Sequence, residues 1–509
     1  MNDVTIARGR WLVTGGGPDD PTFSNAAVAM ADGRIREIGD WAEIRARYPG
    51  APTIGSDRQA IMPGMINGHH HSHGVSGLQQ GIEDQLLEPW ILSLRRARAT
   101  DPYLDTLISA ARLLRTGVTA VVDVHSGRGP VQDYAAAMGR ALSAYAESGI
   151  RVAFAAGVRD QSYLVAGGDD EFLAGLPAEV RPFAEQELPV PGAMTHDEYF
   201  ATIDRYWETY RDHDRVDVWF GPPGPQWVSD GFWRRIAEQA EVYDTGIQTH
   251  VAESIYEKLH GPRDYGMPTV PHLRELGVLG PRFSIAHGVW LTESEIAVLA
   301  ETGTTISHNP SSNLRLRAGI APLNALLESG ATLALGMDGT TLDDDEDMFA
   351  EMRLALRLNR TPQLGTAAPS PARILEIATA GGARLLRKDA ELGRLAPGYA
   401  ADMVLIDLER VTWPWVAPEV DPRDILLLRA KAGDVDTVLI GGEIVLRDGR
   451  PTRFDLAEAG RSLADKLAKT PHPAEEAARI AALTPHVEAY YGGWEMPDLD
   501  PFVRYNSKS

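Results

Sequence analysis

Along the middle of the chain, short apolar runs alternate with longer stretches in which apolar residues recur every three or four positions. The runs are Met62–Ile66, Thr119–Val124, Arg151–Ala156, Asp217–Gly221, Gly246–Val251, Phe283–His287, Thr304–Ser307 and Leu333–Met337, and they read as strands. Most gaps hold a helical pattern, among them Asp101–Arg115, Val131–Ser148, Ser229–Val242, Glu293–Thr302 and Asp345–Leu358. Eight strands, each followed by a helix, predict an α/β fold of the (β/α)8 TIM-barrel type. A doubly wound sheet competes with it, but no Gly-x-Gly-x-x-Gly turn follows the first strand.

The two ends of the chain follow a different pattern. Val4–Ala7, Trp11–Thr14, Ala26–Met30 and Arg34–Ile38 are strand-like, and Asp32-Gly33 marks a turn between them. A matching block lies after Gly393: Ala401–Ile406, Thr437–Ile440 and Glu443–Leu446, with a hairpin turn at Gly441-Gly442. Isolated strands need a partner sheet, so the simplest arrangement joins residues 1–61 and 390–455 in one small β-sandwich. The barrel, residues 62–389, is then inserted between its halves. Residues 456–509 form an extension with helical stretches at Leu456–Ala468 and Ala474–Leu483. Its end carries Tyr490, Tyr491, Trp494, Phe502 and Tyr505, which would bury against the body of the protein or dock on a neighbouring subunit.

Composition narrows the chemistry. A formal net charge of -22 over 509 residues disfavours nucleic acid or an anionic membrane as partner. No apolar run approaches a membrane span, and residues 1–17 lack a basic segment followed by an apolar one, so a cytoplasmic enzyme is expected. Cysteine is absent, which excludes disulfides, thiolate catalysis and thiolate metal sites and leaves His, Asp and Glu as metal donors.

Those donors stand at strand ends. The first barrel strand runs into Gly68-His69-His70-His71-Ser72-His73, where alternate residues share a face, so either His69 with His71 or His71 with His73 can aim two imidazoles at one point. His250, His287 and Asp338 end three later strands. All carboxyl ends of barrel strands face one mouth, and three histidines with one aspartate make a chemically sensible Zn²⁺ or Fe²⁺ site with room for water. The acidic run Asp343–Asp347 lacks the ligand spacing of a calcium loop and is expected to cap the helix that starts near Glu346.

Taken together these elements resemble the amidohydrolase superfamily, in its mononuclear deaminase and chlorohydrolase branch of guanine- and adenosine-type deaminases and triazine hydrolases. The Pro-Gly-x-x-Asn-x-His-x-His run fits Pro63 to His71, His-x-x-Glu fits His250 to Glu253, and Ala-His-Gly fits Ala286 to Gly288. His-Asn-Pro-x-Ser-Asn fits His308 to Asn313, Asp338 fits the strand-8 aspartate, and residues 393–402 resemble the return into the sandwich.

The resemblance selects His69 and His71 and implies that they hold one divalent metal with His250 and Asp338. Zn²⁺ is the expected ion, with Fe²⁺ the alternative. Members with two metals bridge them by a carbamylated lysine on strand 4. Strand 4 contains no lysine here, and none precedes Lys258. The resemblance further implies that Asp338 accepts a proton from water, that Glu253 shuttles protons and that His287 steadies the attacking water. Gln80, Trp90, Gln226 and His308 are the expected substrate contacts. Gln80 stands where relatives often carry an arginine, which weakens any case for an anionic substrate. The expected reaction is hydrolytic deamination of an amino-substituted purine, pterin, pyrimidine or triazine, a hydrolysis of non-peptide C–N bonds. Dechlorination or opening of a cyclic amide or amidine is the alternative. A homo-oligomer, dimer or tetramer, is expected.

Overall fold

The eight central runs form one parallel sheet whose neighbouring strands are hydrogen bonded in chain order. In the computed structural model, which describes residues 4–17, 19–126, 131–189, 194–362, 364–365 and 369–503, these strands are Met65–His70, Val118–Ser126, Arg151–Gly157, Val216–Phe220, Ile247–Val251, Phe283–His287, Thr305–His308 and Leu333–Leu335. Strand ladders run from the first to the eighth but do not join the two. The seam is stitched instead by one side chain and one backbone bond. The Asn67 Oδ1 accepts the Met337 N–H (3.0 Å) and the His69 N–H (3.3 Å), and the Asp338 N–H donates to the His69 carbonyl (2.9 Å). Closing the barrel thereby brings His69 and Asp338 side by side.

Inside the barrel, Ile66, Ala120, Val122, Ala153, Ala155 and Ala334 pack with Trp219. Small side chains on several strands leave the volume that one tryptophan fills, a layered interior typical of this architecture. The outer faces of the strands pack on the surrounding helices in the largest apolar cluster, which includes Phe154, Phe220, Trp233 and Phe349.

The chain ends share one nine-stranded sheet. Its order is Arg450–Pro451, Glu443–Arg447, Val435–Ile440, Met403–Asp407, Gln59–Pro63, Thr5–Val13, Thr22–Ala31 and Arg34–Asp40, with Thr53–Gly55 beside Thr5–Val13. The two ends meet where Met403–Asp407 pairs antiparallel with Gln59–Pro63. Only Gly64 separates that strand from the first barrel strand. A β-carbon there would lie 2.1 Å from the Thr119 hydroxyl, so glycine is required at the crossing.

Details differ from expectation at the periphery. Thr5–Val13 is one strand rather than two, because Thr22–Ala31 pairs with it along its length, across Gly9. Trp41–Arg47 is a helix, started by the Asp40 carboxylate on the Ala42 and Glu43 N–H groups. The cap in the acidic run is Asp347, and the helix it starts is Met348–Leu358. The last helix runs Ala474–Gly492, through Pro485 and well past Leu483, so Tyr490 and Tyr491 are helical. Trp494 is buried, Phe502 is exposed, and Tyr505 lies outside the described residues. Among the described residues no helix is long and apolar enough to cross a membrane.

Candidate metal centre

Four imidazoles and one carboxylate converge at the carboxyl end of the barrel. One donor atom from each of His69, His250, His287 and Asp338 lies within 4.8 Å of the others. His71 joins them: its Nε2 is 3.2 Å from the Asp338 Oδ1 and 3.2 Å from the His250 Nε2, while the His69 Nε2 is 3.0 Å from the same Oδ1.

The other ring nitrogen of each histidine shows which way the imidazoles face. Each Nδ1 meets a carbonyl oxygen, which can only accept. The partners are Gln248 Oε1 for His69 (2.9 Å), Val124 O for His71 (2.8 Å), Pro223 O for His250 (2.6 Å) and Asn313 Oδ1 for His287 (2.9 Å). These partners assign the proton to Nδ1, and in its neutral form each imidazole turns its Nε2 lone pair to the common centre. Asp338 is fixed in the same way, its Oδ2 accepting from the Ser312 hydroxyl and from the Thr340 hydroxyl (3.1 Å).

Burial makes this arrangement expensive without a cation. The His287 Nε2 is buried with no hydrogen-bond partner among the described residues, and the buried His69 Nε2 faces only the Asp338 Oδ1 and the other imidazoles. Several lone pairs facing one point fit a divalent metal, and the nitrogen and oxygen donor set suits Zn²⁺ or Fe²⁺. His287 (φ +76°) and Asp338 (φ +60°) both hold left-handed backbone conformations that cost a non-glycine residue energy, and such strain gathers at functional sites.

Burial also sets the protonation states. It lowers His250 well below the ordinary histidine value, helped by the neighbouring His69, His71 and His287, and brings His287 to about 4. Both are neutral at pH 7. Burial raises the Asp338 carboxyl, but bonds and charge from His69 and His71 outweigh it and hold this group well below the carboxylate range. Glu253 goes the other way. Burial first, then the charges of Asp338, Glu257 and Glu88, push its carboxyl well above the usual value. Its Oε2 lies 3.7 Å from the His287 Nε2, so a carboxyl shifted towards its neutral form borders the converging imidazoles.

Other anticipated residues take varied places. His308 is fully buried at the end of strand 7, with neither ring nitrogen partnered, and burial brings it to about 4. Gln226 is buried with an unpartnered Oε1, three residues beyond the Pro223 carbonyl that holds His250. Trp90 is half-buried on the helix Leu87–Ser93. Gln80 differs: its Oε1 accepts the Arg98 N–H (2.8 Å), which commits that oxygen to its own loop. His70, given no ligand role from the sequence, is buried with its Nε2 3.5 Å from Glu346.

Sequence reasoning missed the partners that orient the donors. Gln248 sits two residues before His250, and the period of a strand places both on the inner face, a signal that was available. Asn67 and Asn313 lie inside recognised motifs but carried no assigned role. Glu88, whose Oε1 accepts from the Ser254 hydroxyl (2.5 Å) beside Glu253, left no mark in the pattern.

Comparison with known proteins adds a family context. A sequence model of the amidohydrolase family matches residues 60–445, and one of an imidazolonepropionase-like bacterial composite domain matches residues 26–51. The chain is 30% identical to a 5-methylthioadenosine/S-adenosylhomocysteine deaminase of Nitratidesulfovibrio vulgaris strain DP4, covering 89% of this chain and 94% of that one. It is 31% identical to a 5'-deoxyadenosine deaminase of Methanothermobacter thermautotrophicus, covering 88% and 94%. Among solved structures, a zinc-bound adenosine deaminase from Xanthomonas campestris superposes with a TM-score of 0.77 at 26% identity, covering 91% and 98%. The zinc complex of an atrazine chlorohydrolase from Arthrobacter aurescens TC1 shares the fold, with a TM-score of 0.77 at 22% identity over 91% and 100%.

Proposed function

This chain belongs to the amidohydrolase family, and we propose that it is a metal-dependent aminohydrolase that removes ammonia from an amino-substituted N-heterocycle of purine, pterin, pyrimidine or triazine type. The observation that carries this reading is the convergence of imidazoles, each with its Nδ1 held, on Asp338, with the buried Glu253 carboxyl beside them. The deaminase relatives support the same chemistry.

His69, His71, His250 and Asp338 would hold one divalent cation. The zinc in the Xanthomonas deaminase supports Zn²⁺, and the absence of lysine before Lys258 supports a single ion. When bound, such a cation acidifies water from a pKa of 15.7 towards about 7 and so supplies the nucleophile at neutral pH.

The chain's own groups do the rest. Asp338 is ionised and takes a proton on Oδ1, the oxygen that its hydroxyl partners leave open. His287, neutral and with Nδ1 bound to Asn313, offers its Nε2 lone pair to a water hydrogen and orients that water. Burial shifts the Glu253 carboxyl towards its protonated form, in which it can give its proton to the ring nitrogen beside the reacting carbon. As a carboxylate it then takes the proton that Asp338 accepted from the water and delivers it to the departing amine as the carbon–nitrogen bond breaks. The proton left on the new oxygen restores the acid form of Glu253. The role as acid is lost as pH rises through the elevated Glu253 value. Trp90 would stack on the flat ring, with His308 and Gln226 reading its polar edge; Gln80 is the weakest of the expected contacts, because its oxygen is already engaged. The exposed Trp413 and Trp415 support a homo-oligomer as the assembly.

The test is ammonia release from a panel of amino-heterocycles by zinc-loaded protein, with chloride release and cyclic-amide opening as parallel arms. Ammonia from at least one amino-heterocycle is expected. Glu253→Gln should keep the metal and lose roughly 10²-fold or more in kcat. Activity confined to the chloride or cyclic-amide arm would replace this reading, and a Glu253→Gln enzyme of unchanged kcat would remove the shuttle.

A further inference from the structure

The C-terminal extension lies beyond the matched residues 60–445, yet its last helix packs at the mouth of the barrel. Ile480, Leu483, Val487, Tyr491 and Trp494 form one apolar cluster with Leu92, Val165, Ala166 and Phe172. Leu92 is on the helix that carries Glu88 and Trp90. Val165 and Ala166 belong to the loop that follows barrel strand 3.

Two consecutive tyrosines of this helix act on a single residue of that loop. The Tyr491 hydroxyl accepts the Ala166 N–H (2.8 Å), and the Tyr490 hydroxyl donates to the Ala166 carbonyl (3.0 Å). Neighbouring helical side chains leave the axis about 100° apart, yet the two rings lean together, 5.3 Å between centroids, so that both hydroxyls meet one residue. Purely apolar cover would not need two phenols with matched partners.

From Ala166 the contacts lead inward along two routes. In the first, the Asp169 carboxylate accepts from the N–H groups of Tyr163 and Leu164 (2.7 and 2.8 Å), which ties the loop back on itself. The same loop holds the turn after strand 4, where Trp227 O accepts from Asp160 N–H (3.1 Å) and Gln226 O from the Gln161 amide (3.3 Å). In the second, the Tyr256 ring lies 4.9 Å from that of Tyr491 and 6.0 Å from that of Trp494, three residues beyond Glu253. Ser254 is held from the other side by Glu88.

We propose that Tyr490 and Tyr491 are positioning residues for the active site: through Ala166 and Tyr256 they fix the loops that carry Gln226 and Glu253, and so set the width of the mouth and the size of substrate admitted. The roles of Gln226 and Glu253 rest on the function proposed above, whereas the mechanical coupling does not.

The experiment uses the full-length, zinc-loaded protein and the double variant Tyr490→Phe/Tyr491→Phe, which keeps both rings and removes both hydroxyls. Hydrogen exchange should speed up by about tenfold or more at residues 164–168, and also rise at residues 224–228 and 253–257. With any amino-heterocycle that the wild type deaminates, KM should increase roughly three- to tenfold while kcat stays within about twofold. Bulkier analogues should be discriminated less. Faster exchange confined to residues 164–168, or an unchanged KM, overturns the proposal, because a merely structural clamp gives that result. If the double variant does not fold, Tyr490→Phe alone carries the same comparison, since Tyr490 is only half-buried. A wild type that releases no ammonia refutes the function proposed above, and the exchange at residues 224–228 and 253–257 then decides this proposal.

Discussion

A histidine binds metal well only when its other nitrogen is held, and His69 shows how much one glutamine contributes. Gln248 accepts from the His69 Nδ1–H, and its amide donates to the Gly68 carbonyl (2.8 Å) and the Ser284 hydroxyl (3.3 Å). With its nitrogen anchored, the amide cannot flip, so its oxygen has to face His69. Gln248→Leu keeps the bulk and removes the acceptor, leaving the His69 tautomer and ring angle unset. Zinc affinity, measured by competition with a chelator, should fall by roughly 10- to 100-fold in a folded protein. An affinity within about twofold of wild type would show that Gln248 does not orient the ring. The convergence of these side chains was legible in the sequence because several separate strands end in histidine or aspartate and all such ends face one mouth. Their orienting partners were not, since glutamine and asparagine serve many purposes and only the closed barrel brings Gln248, Asn67 and Asn313 against them.

At the scale of an element, the turn after barrel strand 5 decides where Glu253 sits. Ala252 has a left-handed backbone (φ +55°), and Ser254 caps the next short helix, Ile255–His260. The Glu257 carboxylate reaches back to accept the Ala252 N–H (2.7 Å) and the Glu253 N–H (2.9 Å), so a helical side chain locks the residues that precede the helix. Burial outweighs these two bonds and brings the Glu257 carboxyl up to about 7 from an ordinary 4.5. A folded-state value raised above the unfolded one makes folding take up a proton. The stabilising contribution is therefore complete below about pH 4.5 and fades as pH rises towards 7 and above. Relative to Glu257→Gln, wild-type unfolding free energy should decline by an amount on the order of 3 kcal/mol between pH 4.5 and 8. Urea titrations of both proteins across that range would measure the difference, and a flat difference would show that Glu257 does not titrate there. Turns of this kind escape sequence reading. Long periodic helices such as Pro102–Arg115 show in the pattern, whereas Leu87–Ser93, Asp169–Gly175 and Arg181–Glu185 are too short for a period to emerge and exist through their tertiary contacts.

For the whole molecule, the question is how a sheet made from both chain ends stays joined to the barrel inserted between them. The strand blocks that pair in that sheet could be matched from the sequence, because each needed a partner. The ion pair beneath them could not, since nothing local marks Arg151 or Asp402 as charged residues to be buried together. Arg151 begins barrel strand 3 and reaches Asp402 in the returning segment, with Nε to Oδ2 at 2.7 Å and Nη2 to Oδ1 at 3.1 Å; the same Oδ1 accepts the Gly441 N–H (2.7 Å). Asp402 is 6% exposed, and removing it would leave the largely buried Arg151 guanidinium with one bond, from Nη1 to the Asp214 carbonyl (2.8 Å). Asp402→Ala should therefore destabilise the protein by about 3–5 kcal/mol. Arg151→Met should cost less, because Asp402 keeps its bond to Gly441. The double variant should recover part of the sum, giving a coupling of at least ~1 kcal/mol in a double-mutant cycle from urea unfolding. Strict additivity would mean that the two charges are held by their own surroundings, and that the pair does not couple the returning segment to barrel strand 3.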